Sequence, residues 1–282
     1  MTAFLIPSIL TTIVICQINI FLNSSLLFTI FCLKGITSKS DMSLVYSRFA
    51  ADIGYSCSII VFKLYVLAGM ISKTFILKNI IFFVIRATVI LGIIRTSLLF
   101  IISLDRIIAL FSSQFYNPNR RKLPLSVIFL IISSSIAFDH FIMFGYCENV
   151  IDTPIDCDSA RCCYNACYAH FWISREQVMF CCIVMMTVLL SLKLVVCTYF
   201  THNQHARILS RATQIAMIDS TTLILFNLIP ILTHVWFASS DYQTYASITT
   251  LSRNLGFLMN TLIIFRILMR DKKHVVPLKI SS

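Results

Sequence analysis

The stretch Asn79–Phe111, NIIFFVIRATVILGIIRTSLLFIISLDRIIALF, decides the fold. A bilayer core about 30 Å thick takes roughly 20 consecutive apolar residues to cross as a helix. No water is available there, so every backbone amide has to bond within its own segment. This run meets that length without a proline, and its charges are few: Arg86, Arg95 and the adjacent Asp105 and Arg106. Working outward, six further runs have the same character: Phe4–Leu33, Ser43–Ile71, Leu125–Tyr146, Gln177–Phe200, Gln214–Phe237 and Ser247–Met269. The reading is an all-α membrane protein, a seven-transmembrane helix bundle forming a single domain over residues 1–282. Composition agrees: 58% hydrophobic and 12% charged residues leave no soluble domain between the runs. The first helix starts almost at Met1 with no basic residue before it and is too long for a signal peptide's apolar core, so a retained signal anchor is expected.

Orientation follows from the basic residues near helix ends, because cytoplasmic loops retain Lys and Arg. With the N-terminus outside, the inner segments hold Lys34, Lys39, Arg106, Arg120, Arg121, Lys122, Arg207, Arg211, Arg270, Lys272, Lys273 and Lys279. The outer segments hold only Lys73, Lys78, Arg161 and Arg175. The asymmetry places the N-terminus outside and the C-terminus in the cytoplasm. It also accounts for the net charge of +11 through contact with an anionic inner leaflet, and no nucleic-acid partner is implied.

Of the 11 cysteines, Cys147, Cys157, Cys162, Cys163 and Cys167 crowd into the expected outer loop between helices four and five. Oxidising space makes disulfides the default there. One must be left over, Cys162 or Cys163, since adjacent cysteines rarely bond each other. A zinc site completed by His170 competes, but the spacing from Cys162 to Cys167 to His170 is loose for one. Cys57, Cys181, Cys182 and Cys197 read as small apolar packing residues of the helices.

Ionisable residues deep in a helix usually face the bundle and pair. Asp52 and Arg95 lie at matching depth, as do Lys193 and Asp219, so two ion pairs are expected, either as switch elements or as static registration of the bundle. Toward the outer ends, Arg86, Asp139, His140, His234, Arg253 and Asn254 are candidates for a ligand pocket, which in such proteins is mostly apolar with a few placed polar groups. Two arginines suit an acidic or strongly hydrogen-bonding small molecule; snorkelling to the headgroups is the blander role for Arg86 and Arg253. No nucleophile motif, paired metal-binding histidines or Gly-rich phosphate loop is present. The chain is therefore not read as an enzyme, and no cofactor or metal is implied. A ligand-gated channel or small-molecule transporter is the rival reading, although Pro230 is the only clear mid-helix break and seven helices do not divide into repeats. Nothing in the sequence fixes an oligomeric state.

Asp105-Arg106 at the end of helix three, followed by the basic loop with Arg120, Arg121 and Lys122, resembles the Asp-Arg-Tyr corner of rhodopsin-like G-protein-coupled receptors, with Ile107 in the aromatic position. Asn23 and Asp52 are separated like the buried Asn and Asp of those receptors. Asn260-Thr261-Leu262-Ile263-Ile264 is similar to their Asn-Pro-x-x-Tyr stretch without its Pro and Tyr. The disulfide from helix three to the second outer loop is missing, because no Cys lies between Cys57 and Cys147.

A closer resemblance, covering nearly the whole chain, is to the nematode serpentine chemoreceptors of class BC. Its marks are Lys39-Ser40-Asp41 leading to Tyr46-x-Arg48-Phe49-Ala50-x-Asp52, Ile102-Ser103-Leu104-Asp105-Arg106, Phe144-Gly145-Tyr146-Cys147 with the spaced loop cysteines, Leu190-Ser191-Leu192-Lys193-Leu194, and Ala216-x-Ile218-Asp219. The resemblance implies a plasma-membrane receptor of sensory neuron cilia that detects a small environmental molecule. By analogy of fold it implies a heterotrimeric G protein as partner, met at Asp105, Arg106, Arg120, Arg121 and Lys122. An intramembrane polar network of Asn23, Asp52, Arg95, Lys193, Asp219 and Asn260 is expected.

Overall fold

The structure, a computed structural model, describes residues 2–32, 43–72, 77–111, 125–154, 157, 162–200, 211–230 and 242–270. Among these, seven helical segments follow one another: α1 (Thr2–Phe31), α2 (Ser43–Ile71), α3 (Ile80–Phe111), α4 (Leu125–His140), α5 (Ala166–Phe200), α6 (Arg211–Leu223) and α7 (Tyr242–Arg270). α4 runs on as a π-helical turn over Phe141–Tyr146, and α6 as another over Ile224–Leu228. α1 packs against α2 and α7, α2 against α3, α3 against α4, α5 and α6, and α6 against α5 and α7. The bundle therefore closes on itself, with α3 touching the most neighbours.

The outside of the bundle is apolar. Phe21, Phe28, Phe129, Leu130, Val178 and Met185 are all exposed, whereas Asn19, Asn23, Ser56 and Thr261 are buried. Five helical spans, Ile6–Phe31, Ser43–Ile71, Ile80–Ala109, Ser126–Tyr146 and Ala166–Lys193, are long and apolar enough to cross a membrane. In α6 the described apolar helix is shorter, Gln214–Leu228.

The expected end of helix six at Phe237 falls outside the described residues and α7 starts at Tyr242 rather than Ser247; two other differences from the sequence expectation are of physical interest. α5 begins at Ala166 rather than Gln177. Its first turns looked too polar for a membrane span, but Asn165 caps them: its Oδ1 accepts from the Tyr168 amide at 2.9 Å, and its Nδ2 donates to the Cys147 carbonyl at 2.5 Å. The Asn165 amide in turn donates to Asn149 Oδ1 at 2.7 Å. An Asn at the N-cap satisfies a backbone donor that the helix leaves free. The second difference is the change to π geometry before Pro230. Proline has no N–H, so the carbonyl four residues back, Phe226, loses its helical donor. Ser252 of α7 supplies one, its hydroxyl donating to that carbonyl at 3.1 Å. Gly256 lets the helices approach this closely: a Cβ there would lie 2.5 Å from Phe226 Cβ.

At the end of the bundle where α4 meets α5, disulfides join Cys147 to Cys167 and Cys157 to Cys162. Cys163 is the free one of the five and is buried. Cys147, Cys157 and Cys163 lie in a core with Ile81, Phe82, Ile85, Met143, Tyr164 and Tyr168, and Cys162 packs against it. Burial pushes the Cys163 thiol up to about 11 and raises the Tyr164 hydroxyl above its ordinary value. Asn79 connects α3 to this loop. It adopts a left-handed conformation at φ 66°, which Asn tolerates better than most residues, and its Oδ1 accepts from the Thr153 amide at 2.9 Å. A second core, of Leu26, Ile30, Val45, Phe49, Ile102, Ile215 and Ile264, fills the opposite end.

Candidate functional site

Four charged side chains meet in the middle of the bundle. Arg95 of α3 donates from Nε to Asp52 Oδ1 of α2 at 2.5 Å. Asp52 Oδ2 lies 3.4 Å from the Nε of Arg48, one helical turn away on α2, and Arg48 also pairs with Asp219 of α6. Asn260 of α7 completes the set, donating to Asp219 Oδ1 at 2.5 Å. Arg48 and Asp52 are 1% exposed, Asp219 4% and Arg95 6%. Two guanidinium groups against two carboxylates leave the quartet neutral, the condition under which charges survive in a low-dielectric interior. The Arg95 guanidinium also lies 3.5 Å from the Phe257 ring centroid, a close cation–π contact. One link therefore joins α2, α3, α6 and α7.

Beside it runs a neutral ladder between α1, α2 and α7. Asn19 Nδ2 donates to Ser56 Oγ at 2.9 Å, Asn23 Nδ2 to Asn19 Oδ1 at 2.9 Å, and Thr261 Oγ1 to Asn19 Oδ1 at 3.1 Å.

Arg95 also walls a cavity of about 10 Å³, on the order of the room that one water occupies. Tyr55, Gly92, Thr96, Glu176, Phe180, Asn227, Arg253 and Phe257 line the rest. Arg253 Nη2 donates to Glu176 Oε2 at 2.9 Å, so that charge is neutralised across α5 and α7. Asn227 lies in the π-turn of α6 and is only 3% exposed. π-turns occur often at functional sites because they re-aim a side chain, and here Asn227 faces the cavity. The lining combines aromatic faces with a small set of polar groups drawn from α2, α3, α5, α6 and α7.

About 14 Å further along α3, reckoned from its rise per residue, Arg86 meets Asp139 of α4. The pair is buried, with Nη2 to Oδ2 at 2.6 Å. Tyr168 of α5 accepts from Arg86 Nη1 at 2.6 Å and donates to Asp139 Oδ2 at 2.9 Å. Arg175 of α5 also pairs with Asp139.

The family model for the Serpentine type 7TM GPCR chemoreceptor Srbc matches residues 1–272. The chain belongs to the Srbc chemoreceptor family. No curated protein matches it. Membership carries the seven-transmembrane receptor fold with it, so the Srbc bundle described above is a multi-pass membrane protein.

Within this Srbc fold, several residues singled out in the sequence are brought together and others are not. Asp52 and Arg95 pair directly. Asp219 does not pair with Lys193: Asp219 turns inward to Arg48 and Asn260, while Lys193 stands 5.2 Å from the Phe111 ring centroid. A carboxylate facing a buried guanidinium gains more than one reaching a partly exposed ammonium. Asn23 lies in the neutral ladder rather than in the charged quartet. Arg86 does not snorkel, since it is 5% exposed and held by Asp139 and Tyr168. Arg253 is held inward by Glu176 and lines the cavity. Asn254 lies behind it, accepting at Oδ1 from the Cys16 thiol at 3.2 Å. His140 is close to Asp139 in sequence but stacks on Phe144 at 6.2 Å between centroids. Arg106 Nη2 lies 2.8 Å from Asp105 Oδ2. Arg120, Arg121, Lys122 and His234 fall outside the described residues.

Sequence reasoning missed Arg48, Tyr168, Arg175, Glu176 and Asn227. Arg48 had a readable signal, its spacing of four from Asp52 on a helix. Arg175 and Glu176 precede the apolar run that begins at Gln177, and only the structure places them on α5.

Proposed function

We propose that this chain is a chemosensory G-protein-coupled receptor whose ligand enters the cavity walled by Arg95, Asn227 and Arg253, with the disulfide-bearing end outside the cell and the C-terminus in the cytoplasm. Arg95 carries the reading, because it belongs both to the cavity wall and to the ion quartet joining α2, α3, α6 and α7. A cavity of about 10 Å³ does not admit even a small organic molecule without moving its walls. Binding therefore favours an arrangement in which α6 and α7 stand apart, and a ligand shifts an equilibrium by its difference in affinity for the two states. The work is passed to the opposite end of α3, where Asp105 and Arg106 form the face for a heterotrimeric G protein, with Arg120, Arg121 and Lys122 beside it. The ligand is a small environmental molecule, and the site of action is the plasma membrane of a sensory cell.

The test is second-messenger output in cells expressing the chain, screened against small volatile and water-soluble compounds. Arg106→Ala is expected to abolish the response at unchanged surface level, and Asn227→Ala to shift the dose response at least tenfold. An ionic current through purified protein without a G protein would replace this reading with a channel.

A further inference from the structure

The cluster at Arg86, Asp139, Tyr168 and Arg175 is not balanced in the way the central quartet is. Two guanidinium groups face one carboxylate. Asp139, 0% exposed, already accepts from Arg86, Tyr168 and Arg175. Beyond the Arg86–Asp139 pair, three buried polar atoms in the same aromatic cluster make no hydrogen bond: Arg86 Nε, Trp172 Nε1 and the Tyr164 hydroxyl, which is itself able to donate to an acceptor placed there. Trp172 packs on Tyr164 at 6.4 Å between centroids, Tyr164 on Tyr168 at 4.9 Å, and the Arg86 guanidinium lies 5.8 Å from the Tyr168 ring centroid.

The other described carboxylates at this end cannot supply the missing charge. Glu176 is committed to Arg253, Asp152 to Lys78 at 2.9 Å, and Glu148 is exposed on the loop. A buried excess charge with orphaned donors is costly. The same arrangement is a fit for an anion: a net positive charge, N–H groups with no acceptor, and a wall of aromatic rings. Arg175, whose side chain is 21% exposed, opens the cluster to solvent.

We propose that this cluster is a second binding site, distinct from the Arg95–Asn227–Arg253 cavity, and that it takes a small monovalent anion, either a halide or the carboxylate of a short acid. The anion supplies the acceptor that Arg86 and Trp172 lack and neutralises the charge left by the second arginine. It thereby locks the α3–α4–α5 corner beneath the disulfide-bonded loop. Chloride and acetate share this chemistry, and gluconate, a much bulkier anion, is the reference.

Purified receptor in a neutral, lipid-free detergent is melted in sodium gluconate, chloride and acetate at constant ionic strength. The midpoint is expected to rise saturably with chloride or acetate, by about 3 °C for each tenfold increase in concentration above the dissociation constant. Arg175→Gln removes the surplus charge while leaving Asp139 held by Arg86 and Tyr168, and is expected to abolish that rise. Lys78→Gln, in an exposed pair, is expected to keep it. A Trp236→Phe background isolates the emission of Trp172, which is expected to change saturably in the same titration and needs no variant of the cluster to fold. A rise that persists in Arg175→Gln, or a flat response of both midpoint and emission, would overturn the proposal. So would a response seen only with anionic lipid vesicles, which would assign the charge to a headgroup. If chloride acts and acetate does not, the site is a halide site; if acetate acts more strongly, it belongs to an organic acid.

Discussion

Replacing Asp219 with Asn changes the side-chain volume very little but removes one of two carboxylates facing the buried guanidinium groups of Arg48 and Arg95. Arg48 then keeps only Asp52, at 3.4 Å, and Asp52 is already engaged by Arg95 at 2.5 Å. The quartet is left with one uncompensated positive charge among residues that are 6% exposed or less. Breaking a buried pair by removing one partner costs about 3–5 kcal/mol, which for a chain of this size corresponds to a fall in melting midpoint of about 6–10 °C. The assay is thermal unfolding of purified protein with a thiol-reactive dye that reports release of the buried Cys16 and Cys163 above the signal of the exposed thiols. Combining Asp219→Asn with Arg48→Gln leaves one acid and one base, so the double variant is expected to recover at least half of the loss. A single variant that melts within about 2 °C of the parent, on the same scale, would refute the reasoning. A double variant whose loss equals the sum of the two singles would also refute it, because it would mean that the pair is not coupled.

Gly256→Ala places a Cβ 2.5 Å from Phe226 Cβ and is expected to cost about 1–3 kcal/mol, with a displaced α6 turn and an altered ligand dose response; unchanged melting would show that the helices part freely there. Separating Cys147 from Cys167 by a Cys147→Ser, Cys167→Ser double replacement opens a link spanning 20 residues and is expected to cost about 3 kcal/mol, read as a lower melting midpoint that reductant lowers further only through the remaining Cys157–Cys162 bond. Asn165→Ala removes the α5 cap and is expected to cost about 1 kcal/mol or slightly more, visible as faster amide exchange over Tyr168 and its neighbours. The Cys163 thiol, buried and pushed up to about 11, is expected to resist maleimide at about pH 7, since the thiolate is the reactive form. Because the folded protein favours the protonated thiol, its contribution to stability is complete below the ordinary cysteine value and declines as the pH rises through that of the folded state. Rapid labelling at neutral pH, located by mass spectrometry, would contradict that environment.

The bundle was legible because each crossing is declared by its own length and apolar composition, independently of its neighbours. Pairing was legible only where depth alone fixed it. Asp52 and Arg95 sit on adjacent antiparallel helices at equal depth and meet. Lys193 and Asp219 satisfied the same criterion and do not meet, because depth says nothing about the rotation of a helix about its axis. That rotation is set by packing: Asp219 follows Ile215 and Ala216 into the core at that end of the bundle, which brings it to Arg48. The start of α5 was missed because Asn165 and the Cys147–Cys167 bond stabilise turns whose sequence is not apolar enough to read as a span. Asn227 was not readable, since its aim depends on a π-turn created jointly by Pro230 and by Ser252 and Gly256 on another helix.

The neutrality of the central quartet has an electrical consequence. A membrane potential does work on a displaced charge of about 2.3 kcal/mol per elementary charge per 100 mV. Charges displaced together along the field cancel, so Arg48, Asp52, Arg95 and Asp219 contribute little gating charge to any motion that carries them as one unit. Voltage then acts on such a core only through motions that draw its acids and bases apart.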